Sequence, residues 1–484
     1  MHTPKQRRYL TLIGASLISL AGITVSAQVT KSFLPASQGD RLLVVAPHPD
    51  DDVLGSGGLL QQAVAAGSAV RIIYLTNGDH NQVAFKIYTH SLHLRPREYI
   101  ALGERRRLEA IRATGLCGLK PEQLIFLGYP DWGTLRIWRD FWEPGDIFTS
   151  DATRSSSVPY LTAYSYGQTY NPENITADLT AIIRDFKPTR VFVTHPADTN
   201  PDHRAAANFV RLALLQLAPE NIRPALFFYV IHFGNWPKPP HYHPDIPLAP
   251  PPALLDDGQW ASLPVTLDQA AIKYQAILAH RTQITTRQYY LESFARSTEI
   301  FATQITESVP FLPGLEPLDW RRAVRAKSVT VFPADYTPPA HGSSAPPPPT
   351  QTVLLEQIEF LRQNDDLIVL AGLKNWLGKR SGVHLYLYGY KHDVPFESMP
   401  KVDVNVSPFG KLYVYVAGLH APDHGVKIAT VGNRLIARVP MALLGGSDID
   451  YLFASARAHF GVIAADDTAW ELFSMHPSPK ATTP

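Results

Sequence analysis

Between Arg41 and Arg211, four short apolar runs alternate with helical stretches, and this alternation limits the fold more than any other feature of the 484 residues. Leu42–Ala46, Ala69–Thr76, Leu124–Leu127 and Arg190–Thr194 are rich in Val, Ile and Leu and too short to be helices. Gly57–Ala66, Glu104–Thr114 and Pro172–Phe186 read as helices, the last opened by Asn171 as N-cap with Pro172 in the first turn. The pattern predicts an α/β fold: a Rossmann-like, mostly parallel sheet with helices on both faces and its site outside the carboxyl ends of the strands. A further helix is expected over Thr266–Gln283, with Ile272, Ala276 and Ala279 on its buried face.

The chain is too long for one core. Residues 335–350, ending in Pro346-Pro347-Pro348-Pro349, read as a stiff linker. Beyond it the period changes to that of strands: His384–Tyr390, Lys401–Val406, Lys411–Val416, Arg434–Val439 and Tyr451–Ala458 follow one another without helices. We therefore expect four segments: a signal peptide at 1–27, an α/β domain at 28–334, the linker at 335–350 and an all-β sandwich at 351–476. The proline-crowded residues 236–252 are expected to form an ordered extended loop.

Lys5, Arg7 and Arg8 precede an apolar stretch, Leu10–Val25, and the small residues Ser26 and Ala27. This is the layout of an export signal, which predicts a secreted or periplasmic protein, or one anchored by an uncleaved N-terminus. Removing three of the 44 basic side chains leaves 41 against 43 acidic ones, so charge gives no case for nucleic acid. Cys117, the one cysteine, excludes an intramolecular disulfide and a cysteine-rich metal site, and is expected to be a packed thiol.

Two polar clusters follow apolar strands. The first is Pro47-His48-Pro49-Asp50-Asp51-Asp52, before Gly55-Ser56-Gly57-Gly58; the second runs from His195 through Asp198 and Asn200-Pro201-Asp202 to His203. A hydrolytic zinc site needs three N/O protein ligands and an open position for water, and strand ends of one sheet can bring such groups together. Taken alone, the first cluster reads equally as an acidic turn capping the next helix. The glycines do not form G-x-G-x-x-G, so a dinucleotide cofactor is not expected.

These residues resemble the LmbE-like or PIG-L-like zinc de-N-acetylases. The likeness rests on Pro47-His48-Pro49-Asp50-Asp51, Arg106-x-x-Glu109, Leu127-Gly128-Tyr129-Pro130-Asp131, Asn200-Pro201-Asp202-His203, Lys273 and His280-x-x-Gln283, across roughly residues 40–300. It implies that His48, Asp51 and His203 bind one Zn2+ per chain, or another divalent metal, and that Asp50 is the general base. It further implies that Arg106 and Asp131 face the sugar and that Asp202 supports the ligands from behind. On the residues alone, Arg106 and Glu109 also read as a surface pair, and Asp131 as a turn residue.

Two departures stand out: Asp52 replaces the usual Glu, and Asn200 stands where the family commonly has an oxyanion-stabilising histidine. Asn200 or His195 is expected to take that role, His195 having the alternative of a backbone-bonded strand-end residue. The expected activity is hydrolysis of the N-acetyl group of an N-acetylglucosamine-type sugar in a glycan or glycoconjugate. The alternatives are a sugar-binding protein that has lost hydrolysis and an amidase for a non-sugar substrate. Trp132, Trp138, Phe141, Trp142, Tyr160, Tyr164, Tyr166 and Tyr170 form either a sugar platform or a self-packed loop. The β module, with Leu385-Tyr386-Leu387-Tyr388 and Leu412-Tyr413-Val414-Tyr415, reads as carbohydrate-binding or as docked on the α/β domain.

Overall fold

The computed structural model describes residues 31–81, 95–312, 324–329, 355–373, 381–407, 410–422, 424–460 and 463–476, with the isolated positions 83, 86 and 87. The expected export signal and the linker at 335–350 lie outside the described residues. No helix among the described residues is long and apolar enough to cross a membrane.

The first sheet contains β1 (Lys31–Ser32), β2 (Arg41–Ala46), β3 (Ala69–Thr76), β4 (Leu124–Tyr129), β5 (Arg190–Thr194), β6 (Ala225–Tyr229), β7 (Gln259–Pro264) and β8 (Thr298–Thr303), in the order β1-β7-β8-β6-β5-β2-β3-β4. Strands β4, β3, β2, β5 and β6 are parallel, while β8 runs against both β6 and β7. Leu42 to Ala46 are fully buried, as a strand covered on both faces requires.

The helices are α1 (Asp51–Ala65), α2 (Pro96–Leu116), α3 (Thr134–Asp140), α4 (Pro172–Phe186), α5 (Pro201–Leu217), α6 (Leu267–Ala279) and α7 (Arg281–Glu292). α1, α2 and α6 pack together, as do α3 and α4 with α5. The chain leaves β2 toward β3 but leaves β5 toward β6, so the strand order reverses between β2 and β5. Such a switch point opens a crevice at the strand ends, and the two polar clusters border it.

The glycines after the first cluster permit close packing of α1. A Cβ on Gly55 would lie 2.3 Å from the ring of buried Tyr229, and one on Gly58 2.7 Å from Val265. The Glu299 carboxylate accepts the Gly58 and Leu59 N–H groups at 2.6 and 2.9 Å and pairs with Lys273 at 2.7 Å. Overpacking of this kind costs about 1–3 kcal/mol. Gly55→Ala is therefore expected to lower the unfolding free energy by about that amount, seen as a lower denaturation midpoint, and an unchanged midpoint would show that Tyr229 can yield.

The expected Thr266–Gln283 helix is interrupted. Its axis breaks at His280, because the Glu109 carboxylate of α2 takes the Thr282 hydroxyl at 2.7 Å and its N–H at 3.2 Å. Ala276 and Ala279 lie on its buried face as expected, but Ile272 is 40% exposed and Lys273 is buried against Glu299.

The second domain comprises β9 (Val324–Val329), β10 (Leu355–Gln363), β11 (Asp366–Leu373), β12 (Ser381–Tyr390), β13 (Lys401–Val406), β14 (Leu412–Val416), β15 (Leu419–His420), β16 (Lys427–Val431), β17 (Arg434–Pro440), β18 (Tyr451–Phe460), β19 (Ile463–Thr468) and β20 (Glu471–Ser474). All pairings between these strands are antiparallel, and contact between β9 and β19 joins two groups of strands into one 12-stranded sheet. The domain boundary at 334 is thus displaced toward the N-terminus. β9 pairs with β10 and β19, so residues 324–329 belong to the β domain.

One continuous apolar core unites the two domains. Trp138, Trp142, Tyr160 and Tyr170 are buried, which overturns the sugar-platform reading for these four, whereas Tyr164 and Tyr166 are exposed. Trp138 meets Tyr388, Phe396, Phe453 and Trp470 of the β domain, and the Tyr388 hydroxyl donates to the Arg139 carbonyl at 2.5 Å. Tyr388 of β12 therefore serves the docked arrangement. Cys117 is buried, and burial pushes its thiol up to about 12.

Candidate active site

The turn after β2 carries His48 and Asp50, α1 opens with Asp51, and α5, which follows β5, carries Asp202 and His203 on its first turn. His48 Nδ1 lies 3.2 Å from Asp51 Oδ2 and 3.2 Å from His203 Nε2, and the last two atoms are 3.1 Å apart. Donors bound to a tetrahedral zinc at about 2.0–2.1 Å would stand about 3.3–3.4 Å from one another. The triangle therefore fits such an ion, and its two nitrogens and one carboxylate oxygen are the donors that zinc takes.

The remaining ring atoms fix the tautomers. His48 Nε2 is 3.1 Å from Asp131 Oδ1 and 3.2 Å from Asp202 Oδ2, so its proton sits there and Nδ1 is left as an acceptor. Burial alone would favour the neutral ring, but Asp131 and Asp202 outweigh it and raise His48 well above the ordinary histidine range, so a metal would take Nδ1 by displacing its proton. His203 Nδ1 lies 3.1 Å from Asp198 Oδ2, which turns Nε2 toward the triangle. Asp202 is itself fixed by the Trp132 N–H at 2.6 Å and the Thr134 hydroxyl at 2.5 Å. The same His48–Asp131–Asp202 grouping has metal-ligand spacing. Asp202 is already held by these donors, so we place it as a support.

Asp50 adjoins the triangle, and the Arg106 guanidinium donates to it at 3.0 Å and to the Gly78 carbonyl at 2.9 Å. Burial pushes the Asp50 carboxyl up to about 6, with Arg106 opposing the shift. Arg106 is thus engaged with Asp50. Asp131 accepts the His80 N–H at 2.8 Å; burial alone would raise its carboxyl, but His48 and Arg106 hold it below the usual range. Asp52 turns away and accepts the Tyr74 hydroxyl at 2.9 Å.

The two oxyanion candidates differ in placement. Asn200 is the N-cap of α5, its side-chain oxygen accepting the Asp202 N–H at 2.8 Å, so its amide NH2 is the donor left over. His195 stands outside the cluster. It is fully buried and stacked on Trp260, and its Nδ1 accepts the Ala197 N–H at 3.1 Å, which favours the backbone-bonded alternative.

Sequence reading missed two neighbours. Asp198 accepts the N–H groups of Asn200, Ile231 and His232 and orients His203, although its place in the second cluster was visible. The His232 ring, at the end of β6, lies 4.9 Å from that of His203. No motif marks it, and only strand adjacency brings it there. His280 and Gln283 approach from the α6–α7 break, where Gln283 accepts from Asn81 at 2.8 Å.

Residues 43–214 match the family model described as PIG-L, GlcNAc-PI de-N-acetylase. The 1D-myo-inositol 2-acetamido-2-deoxy-alpha-D-glucopyranoside deacetylase of Kineococcus radiotolerans is 26% identical over 271 residues, which cover 51% of this chain and 70% of that protein. The enzyme of the same description from a Nocardioides species is 26% identical over 273 residues, covering 51% and 84%. A solved N,N'-diacetylchitobiose deacetylase from Pyrococcus horikoshii shares 21% identity with a TM-score of 0.32, covering 54% of this chain and 82% of that one. The segment matched by the family model carries the ligand triangle, Asp50, Arg106 and Asp131, so residues 43–214 form a PIG-L family domain.

Proposed function

We propose that this chain is a zinc-dependent hydrolase that removes the acetyl group from the nitrogen of an N-acetylglucosamine-type sugar within a glycan or glycoconjugate. The observation that carries this reading is the His48–Asp51–His203 triangle with the Asp50 carboxylate beside it. The PIG-L family domain at residues 43–214 supports it, as does the description of two relatives as deacetylases of an N-acetylated glucosaminyl inositol.

His48 Nδ1, Asp51 Oδ2 and His203 Nε2 would hold the ion, which when bound lowers the pKa of its water toward about 7 and polarises the acetyl carbonyl. Asp50 accepts the proton of the attacking water, and its raised carboxyl suits it to return that proton to the departing amine nitrogen. Arg106 fixes the orientation of Asp50. The Asn200 amide supplies a neutral donor for charge building on the acetyl oxygen. Acetate and a free amino sugar leave.

The test is a metal and product assay on the purified full chain. We expect about one zinc per chain, acetate release from at least one N-acetylated saccharide, loss of activity with a chelator and return with Zn2+. Sugar binding without acetate release would favour the non-hydrolytic alternative, and acetate release only from non-sugar amides the other.

A further inference from the structure

The fully buried Arg204 follows His203 on the first turn of α5. Its Nε reaches the Pro196 carbonyl at 3.5 Å, while its other described partners come from the β domain: Nη1 donates to Asp467 Oδ2 at 3.3 Å and Nη2 to the Thr468 carbonyl at 2.5 Å. Asp467 Oδ2 also takes Arg457 of β18 at 3.2 Å, so one carboxylate oxygen stands between two guanidiniums. Removing one member of a buried ion pair leaves an uncompensated charge, which costs far more than the intact pair gains. The first turn of α5 carries Asp202, which holds His48, and His203 itself.

We infer that the β domain completes the metal centre, and that Asp467 is a positioning residue that fixes His203 through Arg204. The role differs from glycan binding: the second domain sets the geometry of the ligand triangle from behind. Groups that orient metal ligands typically contribute about 10–100-fold to affinity, and Asp467 acts one residue further out, at the low end of that range.

The inference rests on His203 as a metal ligand and is tested by zinc competition with a chromophoric chelator, without substrate. Asp467→Asn and Arg204→Met in the full chain are each expected to weaken zinc binding about tenfold while the circular dichroism spectrum is kept. The double variant should be no weaker than the weaker single, because both remove one linkage. Arg211→Met is the control. Arg211 ties α5 to the Trp470 carbonyl at 3.1 Å but lies two turns from His203, so its loss should lower Tm and leave zinc affinity unchanged.

If Asp467→Asn fails to fold, Arg204→Met still decides, since Asp467 then keeps Arg457 as its partner at 3.2 Å. Wild-type zinc affinity in folded Arg204→Met, additive effects, or an equal loss in Arg211→Met would overturn the inference. A wild-type chain that takes up no zinc ends both this inference and the metal reading; zinc binding untouched by the variants ends this one alone.

Discussion

Asp50→Asn is expected to reduce acetate release by about 10²- to 10⁴-fold, the usual contribution of a general base, with zinc content unchanged. The substitution keeps the shape of the side chain and removes its ability to take a proton. Asp50 lies outside the ligand triangle, so metal retention should survive the change that ends turnover. Arg106 makes the result more specific: its Nη2 would face a neutral amide, and the charge-assisted bond at 3.0 Å would weaken. Arg106→Lys should therefore reduce turnover less than Asp50→Asn does, because a point charge still faces the carboxylate without the fork geometry. The check is kcat by acetate release together with metal analysis of the same preparations. Full activity in Asp50→Asn would remove Asp50 from the reaction, and zinc loss in that variant would make it a ligand.

The parts of this site legible from sequence were those where local chemistry and topology agree. His48, Asp50 and Asp51 lie where an apolar buried strand ends in a polar turn and glycines let the next helix approach Tyr229. His203 was legible because β5 repeats that arrangement. What the sequence did not display are contacts made across the sheet. His232 follows β6, which lies beside β5, and Arg204 looks like any helix arginine until the β domain closes over it. The sequence left the two readings of His195 open for the same reason: position near a motif does not show which way a strand-end ring turns, and this one turns onto Trp260. In the second domain the alternating runs were visible, but β9 was not, since its partners β10 and β19 lie far along the chain.

Trp138→Ala is expected to cost about 3–5 kcal/mol, the range for emptying a large buried aromatic site. Trp138 is fully buried at the end of α3, and its ring lies between 5.1 and 6.4 Å from those of Trp142, Phe209, Tyr388, Phe396, Phe453 and Trp470. Four of those six rings belong to the β domain, so the cavity would open at the junction and weaken the tie between the two halves. Trp138 Nε1 has no hydrogen-bond partner among the described residues, a cost the native protein already carries. Trp138→Phe removes that unpaired N–H while keeping a ring, and should therefore cost much less than the alanine change. The measurement is unfolding in urea followed by tryptophan fluorescence and far-ultraviolet circular dichroism. The native chain should lose both signals in one transition, because one apolar core spans the two domains. In Trp138→Ala the transitions should move to lower urea and separate as the domains uncouple. An alanine variant that unfolds at the native midpoint in one step would show that the rings around Trp138 contribute little and that the domains are held together elsewhere, with the polar ties at Arg204 and Arg211 the first place to look.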